Sequence, residues 1–311
     1  MSPSLTQRLY DVRHDTTYRY AGSVAQSIQL LHLKPRPSPF QTCIEHRLAL
    51  TPEPFSRQDD IDAFGNPSSL VDFLGLQDEL VFSSRIRVEV ITRPLNVDGD
   101  SMSCADVAAR FAYRPQPIAR EQLDASRFLY PSPHVPRDPL FRDWAAAELL
   151  PDRPIREAAE ALMRHIHNDF TYLPGATDLA TPTRDVLEKR KGVCQDFAHV
   201  MIAGLRANGI PARYVSGYIR TGNGDPGNDA EGKLIGADAS HAWVSVYCPP
   251  LGWIDFDPTN NCTLGTDHIT VAWGRDFSDV SPLRGVLIGS GEHRLTVAVT
   301  VRPVDSTPIS P

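Results

Sequence analysis

Of the five cysteines in this chain, at positions 43, 104, 194, 248 and 262, Cys194 stands where backbone physics would make a thiol reactive. It lies in KGVCQDFAHVMIAGLRANGIPARYVSGY, residues 191–218, between Gly192 and an apolar run. In that run Phe197, Ala198, Met201, Ile202 and Leu205 recur at helical spacing until Asn208, Gly209 and Pro211 end the pattern. Cys194 therefore falls at or near the first turn of a buried helix, where unpaired N–H groups and the helix dipole favour an anion. A thiol attacks carbon as its thiolate, and a neighbouring imidazolium lowers the thiol pKa further. Cys43, Cys104, Cys248 and Cys262 open no helix and have no histidine in a matching strand, so they read as bystanders.

The histidine has to come from elsewhere in the chain. His165 and His167 sit two apart on a polar-edged helix and cannot share one face, and His199 lies five residues along the cysteine's own helix. Others occur in the N-terminal part. His241 opens HAWVSVYCPPLGWIDFDPT, which reads as two aromatic-rich strands around CPPLG. With Tyr247 opposite Trp253, Trp243 faces Asp257 and His241 is diagonal to Asp257, within reach of an imidazole N–H. Asp255 then lies opposite Ser245, too far along the strand to orient His241. A register slip of one residue would turn His241 and Asp257 to opposite faces. The candidate set is nucleophile Cys194, base His241 and orienting carboxylate Asp257.

These residues need elements to hold them. The chain has 311 residues, 41% hydrophobic and 22% charged, with a net charge of −7, as in an ordinary globular protein with room for two domains. The acidity and the lack of a basic block argue against nucleic acid and membrane as partners. The start, MSPSLTQRLYDVRHD, lacks a charged segment leading into an apolar run, and the odd, scattered cysteines fit reduced thiols, so a cytoplasmic protein is expected. Residues 1–95 read as an antiparallel β domain: VFSSRIRVEVI puts Ile86, Val88 and Val90 on one face and Arg85, Arg87 and Glu89 on the other. Residues 96–150, containing YPSPHVPRDP, form a helical and irregular connector.

From residue 151 to 311 the pattern is helices followed by an antiparallel sheet, which makes the fold class α+β. Ile155, Ala158, Ala159, Leu162, Met163, Ile166 and Phe170 mark an amphipathic helix behind Pro154, and TPTRDVLEKRKG a shorter one. ARYVSGYI, HAWVSVY and WIDFDPT are strands, and HRLTVAVTVRPV closes the unit with Leu295, Val297, Val299 and Val301 on one face. A Gly-, Asn- and Asp-rich loop over 221–240 leads directly to His241. Its stretch GNGDPGNDAEG superficially looks like a calcium ligand string but lacks the EF-hand spacing, so no metal and no cofactor are expected.

GVCQDFAHVMIAGLRANGIPARYVSGY, DASHAWVSVY and GWIDFDPTN resemble the three blocks of the bacterial transglutaminase-like cysteine hydrolase family, and together cover roughly residues 155–261. The first eighty or so residues, through YRYAGSVAQSIQLLHLKPR and DAFGNPSSLVDF, resemble the β domain that precedes the catalytic domain in many bacterial members. The resemblance implies a papain-like core, a thiol-bearing helix on an antiparallel sheet, with Cys194, His241 and Asp257 as its triad. It also implies an oxyanion hole from the Cys194 backbone N–H and an upstream side-chain donor. Here that donor is Tyr172 of FTYLPG, although animal members are thought to use tryptophan. Gln195 has no such part, because papain's glutamine precedes its cysteine.

The chemistry so implied is thiolate attack on an amide carbonyl and an acyl-enzyme resolved by water or by an amine. Hydrolysis of a peptide, protein or small amide is the favoured reading. Protein-glutamine transamidation is the alternative, and a peptide-binding module without turnover is a third. Thiol–disulfide exchange is disfavoured, since no second cysteine stands within three residues of Cys194. Trp243 and Trp253 are expected to pack and to wall the cleft.

Overall fold

The computed structural model describes residues 6–92, 101–112, 119–220, 240–289 and 292–304. The expected loop over 221–239, including the calcium-like stretch, lies outside the described residues.

Four strands come first: β1 (Gln7–Leu31), β2 (Gln41–Thr51), β3 (Ser56–Ile61) and β4 (Pro67–Ile91). β1 and β4 run through 25 residues each, and their period-2 alternation changes phase at the register shifts between Arg19 and Gln26 of β1; at the far end Tyr10, Val12, Ile86, Val88 and Val90 are buried and the intervening Asp11, Arg13 and Arg87 turned outward. The connector then supplies α1 (Cys104–Phe111), α2 (Arg120–Ser126) and α3 (Pro139–Ala145). Cys104, expected to open no helix, is the first residue of α1, because Ser103 Oγ accepts from the Asp106 N–H at 3.1 Å and caps a helix too short for its apolar period to show in the sequence. Next come α4 (Ile155–Asp169), β5 (Thr171–Tyr172), α5 (Thr183–Lys189), β6 (Lys191–Gly192) and α6 (Cys194–Ala207). The apolar periodicity of α4 places Ile155, Ala158, Ala159, Leu162, Met163 and Ile166 in the core. The strands β7 (Ala212–Ile219), β8 (His241–Tyr247), β9 (Trp253–Asp257), β10 (Cys262–Thr263) and β11 (His268–Gly274) follow, then α7 (Phe277–Val280), β12 (Leu283–Gly289) and β13 (His293–Val304). The mixture of helices and antiparallel sheet is the α+β class read from the sequence.

A five-stranded sheet runs β10-β9-β8-β7-β11, and α6 packs against β7 and β8 with α3, α4 and α5 around it. The six-stranded sheet runs β12-β1-β4-β2, with β13 on β1 and β3 on β4. The last two strands thus pair with β1, whereas the sequence grouped residues up to 311 with the helical unit. Alternation fixes the two faces of a strand but not its partner, and the long edge of β1 is the partner here.

One core runs through both units, from Tyr10, Val12 and Ile86 across Tyr218, Ile269 and Val271 to α6. Side-chain amides bridge the seam. Gln41 brackets Thr270, donating from Nε2 to its carbonyl at 2.7 Å and accepting from its N–H at 2.8 Å. Asn66 does the same to Trp273, at 2.9 and 3.0 Å. Since β11 is the edge of its sheet, these amides satisfy backbone groups that no neighbouring strand reaches.

Candidate active site

The start of α6 is built by Asp196. Its Oδ2 accepts from the Val193 backbone N–H at 2.8 Å and from Thr177 Oγ1 at 2.6 Å, so the third helical residue reaches back to cap its own helix. Burial raises the Asp196 carboxyl pKa against these donors. Gly192 makes room for the arrangement, because a Cβ there would meet Asp196 Oδ2 at 2.5 Å. Val193 is extended, and Cys194 is the first residue of the helix, where backbone N–H groups have no intrahelical partner. The cysteine is buried. Tyr172 reaches the same place through the short parallel pair β5–β6, in which it lies opposite Gly192. Burial, and then the charge of Cys194, push its phenol up to about 12. Tyr172 is therefore a protonated donor beside the thiol.

On the sheet, β8 and β9 pair Ser245 with Asp255 and Tyr247 with Trp253, the register read from the sequence. His241 Nε2 meets Asp257 Oδ2 at 2.8 Å, and both side chains are fully buried. Burial would discharge the imidazole, but the charges of Asp257 and Cys194 outweigh it and raise the His241 pKa to about 10. Asp257 collects further donors. Oδ1 accepts from the backbone N–H of Thr259 at 2.9 Å and of Asn260 at 3.1 Å. Oδ2 also accepts from Asn260 Nδ2 at 2.7 Å and His268 Nε2 at 3.2 Å. Burial alone would raise this carboxyl; His241 and His268 instead hold it well below the usual carboxylate range.

The structure brings Cys194, Tyr172, His241 and Asp257 together. Asp255 lies in a row with Ser245 and Arg213, away from His241. Trp243 is wholly enclosed beneath His241, its ring over Gly217, where a Cβ would meet it at 2.4 Å. Trp253 stands at the other end of the hairpin, packed on Tyr247 and Phe128 with Arg213 above its ring. Neither tryptophan walls an open cleft beside the thiol: one is sealed in, and the register carries the other to the far end. His165 and His167 lie on the partly exposed side of α4, and His199 is buried against His134 and Tyr214.

Two residues at the site escaped the sequence reading. Asn260 sits in the turn after Asp257, where an Asx-rich PTNN stretch is a local signal. His268 opens β11, three strands away from β9 in the sheet order, so no local pattern connects them. The side-chain gap at Gly217 lets Trp243 lie across the middle strand, and His268 packs edge-on to it at 5.3 Å.

A transglutaminase-like superfamily signature spans residues 144–258, and a bacterial transglutaminase-like N-terminal region spans 10–89. Over 304 residues the chain is 39% identical to an uncharacterised protein of Mycobacterium tuberculosis, covering 95% of this chain and 93% of that one. The chain belongs to the transglutaminase-like superfamily. An uncharacterised protein of Mycobacterium leprae is 31% identical over 297 residues, 93% of this chain and 97% of that one. The crystal structure of a Cytophaga hutchinsonii protein provisionally named a cysteine protease superposes with a TM-score of 0.75 at 22% identity, over 97% of this chain and 93% of that chain. That likeness extends the shared fold to the six-stranded sheet. No helix among the described residues is long and apolar enough to cross a membrane.

Proposed function

We propose that this transglutaminase-like protein hydrolyses amide bonds through an acyl-enzyme on Cys194. The observation that carries the reading is the buried His241–Asp257 contact beside a thiol at a helix start. In this reading His241, held as an imidazolium by Asp257, pairs with the Cys194 thiolate. The thiolate attacks the carbonyl carbon, and the oxygen takes the electron pair facing the Cys194 backbone N–H and the Tyr172 hydroxyl. His241 then gives its proton to the leaving amine as the C–N bond breaks. Water, deprotonated by the now neutral His241, cleaves the thioester and releases the acid. Peptides, proteins and small amides all present the required bond. Five unpaired cysteines support a reducing compartment such as the cytoplasm.

A second reading differs only in the last step, where an amine replaces water. It is favoured by the 37% identity over 103 residues, 32% of this chain and 15% of the other, to a protein-glutamine gamma-glutamyltransferase of Pseudomonas aeruginosa. Mass spectrometry of a peptide library incubated with the protein, with and without a primary amine, separates the outcomes. Cleavage or deamidation dependent on Cys194 supports hydrolysis. Amine incorporation in preference to either would replace hydrolysis by transamidation, and identical spectra from the native protein and Cys194→Ala would remove both.

A further inference from the structure

Asp257 is shared between two histidines, and the proposed hydrolysis uses only His241. His268 Nε2 approaches the same Oδ2 from β11, at 3.2 Å against 2.8 Å for His241. Ligand atoms of His241, Asp257 and His268 all lie within 4.8 Å of one another, and all three residues are buried. Among the described residues, no other three His, Cys, Asp or Glu side chains converge in this way.

Two imidazole nitrogens and one carboxylate oxygen are a donor set suited to borderline divalent cations, with ligand distances of about 2.0–2.2 Å for zinc. Tetrahedral placement on such bonds separates the donor atoms by about 3.3 Å. The His268 contact is already that wide, and the His241 contact would open by a few tenths of an ångström. Each Nε2 now directs its proton at Asp257. A cation takes the nitrogen lone pair instead, so that proton passes to solvent or is carried on Nδ1, which in His241 faces Cys194 and in His268 makes no hydrogen bond. Between the two sheets, a cavity of about 20 Å³ lined by Phe40, Gln41, Leu264 and Gly265 ends on His268. That is room for one water molecule on the outer side of His268; His241 and Asp257 do not line it.

We propose that His241, Asp257 and His268 form a binding site for one borderline divalent cation such as Zn²⁺, whose occupation takes Asp257 from His241, leaves no imidazolium to pair with Cys194 and so silences the thiol. The binding half stands on the geometry, and the silencing half rests on the hydrolase reading above.

The test begins with calorimetric titration of Zn²⁺ into metal-free protein carrying Cys194→Ala, which removes the thiol as a ligand. One Zn²⁺ per chain is expected, with affinity reduced at least tenfold by adding His268→Gln. Asp257→Asn serves as the second variant if circular dichroism shows that His268→Gln is unfolded. Co²⁺ added to the protein with Cys194 intact should give visible ligand-field bands without a thiolate charge-transfer band. No saturable uptake, an affinity indifferent to both variants, or a thiolate band with uptake lost in Cys194→Ala would each overturn the site. Where metal-free protein turns over, Zn²⁺ should abolish the activity and EDTA should restore it; turnover indifferent to bound Zn²⁺ overturns the silencing half. Zn²⁺ binding as described in a protein with no turnover upholds the site and defeats the hydrolase reading.

Discussion

Two aspartates stand two residues apart on β9, and only one touches a histidine. Asp257 holds His241 at 2.8 Å, while Asp255 lies opposite Ser245. Asp257→Asn should lower turnover by about a hundredfold or more, short of the roughly ten-thousandfold seen when a serine triad loses its carboxylate. Asp255→Asn should leave the rate per folded molecule within about threefold, since the two sites act separately. Rates on an amide or ester substrate, with circular dichroism as the check on folding, decide between them, and a crippled Asp255→Asn would break the assignment. The thiols offer a second contrast. Burial pushes Cys104 up to about 11 and Cys262 to about 12, and raises Cys43 and Cys248 as well. Cys104 and Cys194 both begin helices, but Cys194 does so beside an imidazolium, so limited iodoacetamide labelling near pH 7 should mark it first, and His241→Ala should slow that labelling by about tenfold or more. Peptide mapping in which Cys43 or Cys248 leads would make Cys194 a structural thiol.

At the scale of elements, what could be read from the sequence was local. The start of α6 follows from Gly192 and the apolar period behind Cys194, and the β8–β9 register follows from a short turn between aromatic strands. His268 was illegible because its place beside Asp257 depends on the order of four strands and on the side-chain gap at Gly217. The C-terminal strands were misplaced for the same reason: their alternation was plain, but pairing with β1 is a long-range choice. Asp196 is an element-scale residue too, since it fixes the turn that presents Cys194. Removing its carboxylate in Asp196→Ala strips the cap from the Val193 N–H and the partner from Thr177. The expected cost is about 1 kcal/mol, or about 1–2 °C in melting temperature, together with slower alkylation of Cys194. Unchanged melting and labelling would show that the helix start is set without Asp196.

The whole molecule depends on the seam where the six-stranded sheet meets β7 and β11, and a buried histidine lies in it. His14 Nδ1 is 2.8 Å from the Tyr218 hydroxyl of β7 and its Nε2 is 2.9 Å from Thr16 Oγ1. Burial lowers its pKa to about 4, and the charge of Asp15 only partly opposes this. An unfolded histidine titrates near 6.5, so between pH 6.5 and 4 the unfolded chain binds a proton that the native chain refuses. The stabilisation is complete above pH 6.5 and is lost as the pH falls through that window, by at most about 3 kcal/mol. Other groups titrate in the same range, His46 among them, also lowered to about 4 by burial, but on β2. The test is therefore a difference: melting temperatures from pH 7.5 to 4.5 for the native chain, His14→Gln and His46→Gln. His14→Gln should lose part of the acid-side decline, and the loss should coincide with weaker protection of the Thr270 and Trp273 amides in hydrogen exchange, because Gln41 and Asn66 hold those amides across the same seam. A His14→Gln profile parallel to the native one at every pH would mean that the seam carries no proton-linked energy, and that acid sensitivity arises elsewhere in the fold.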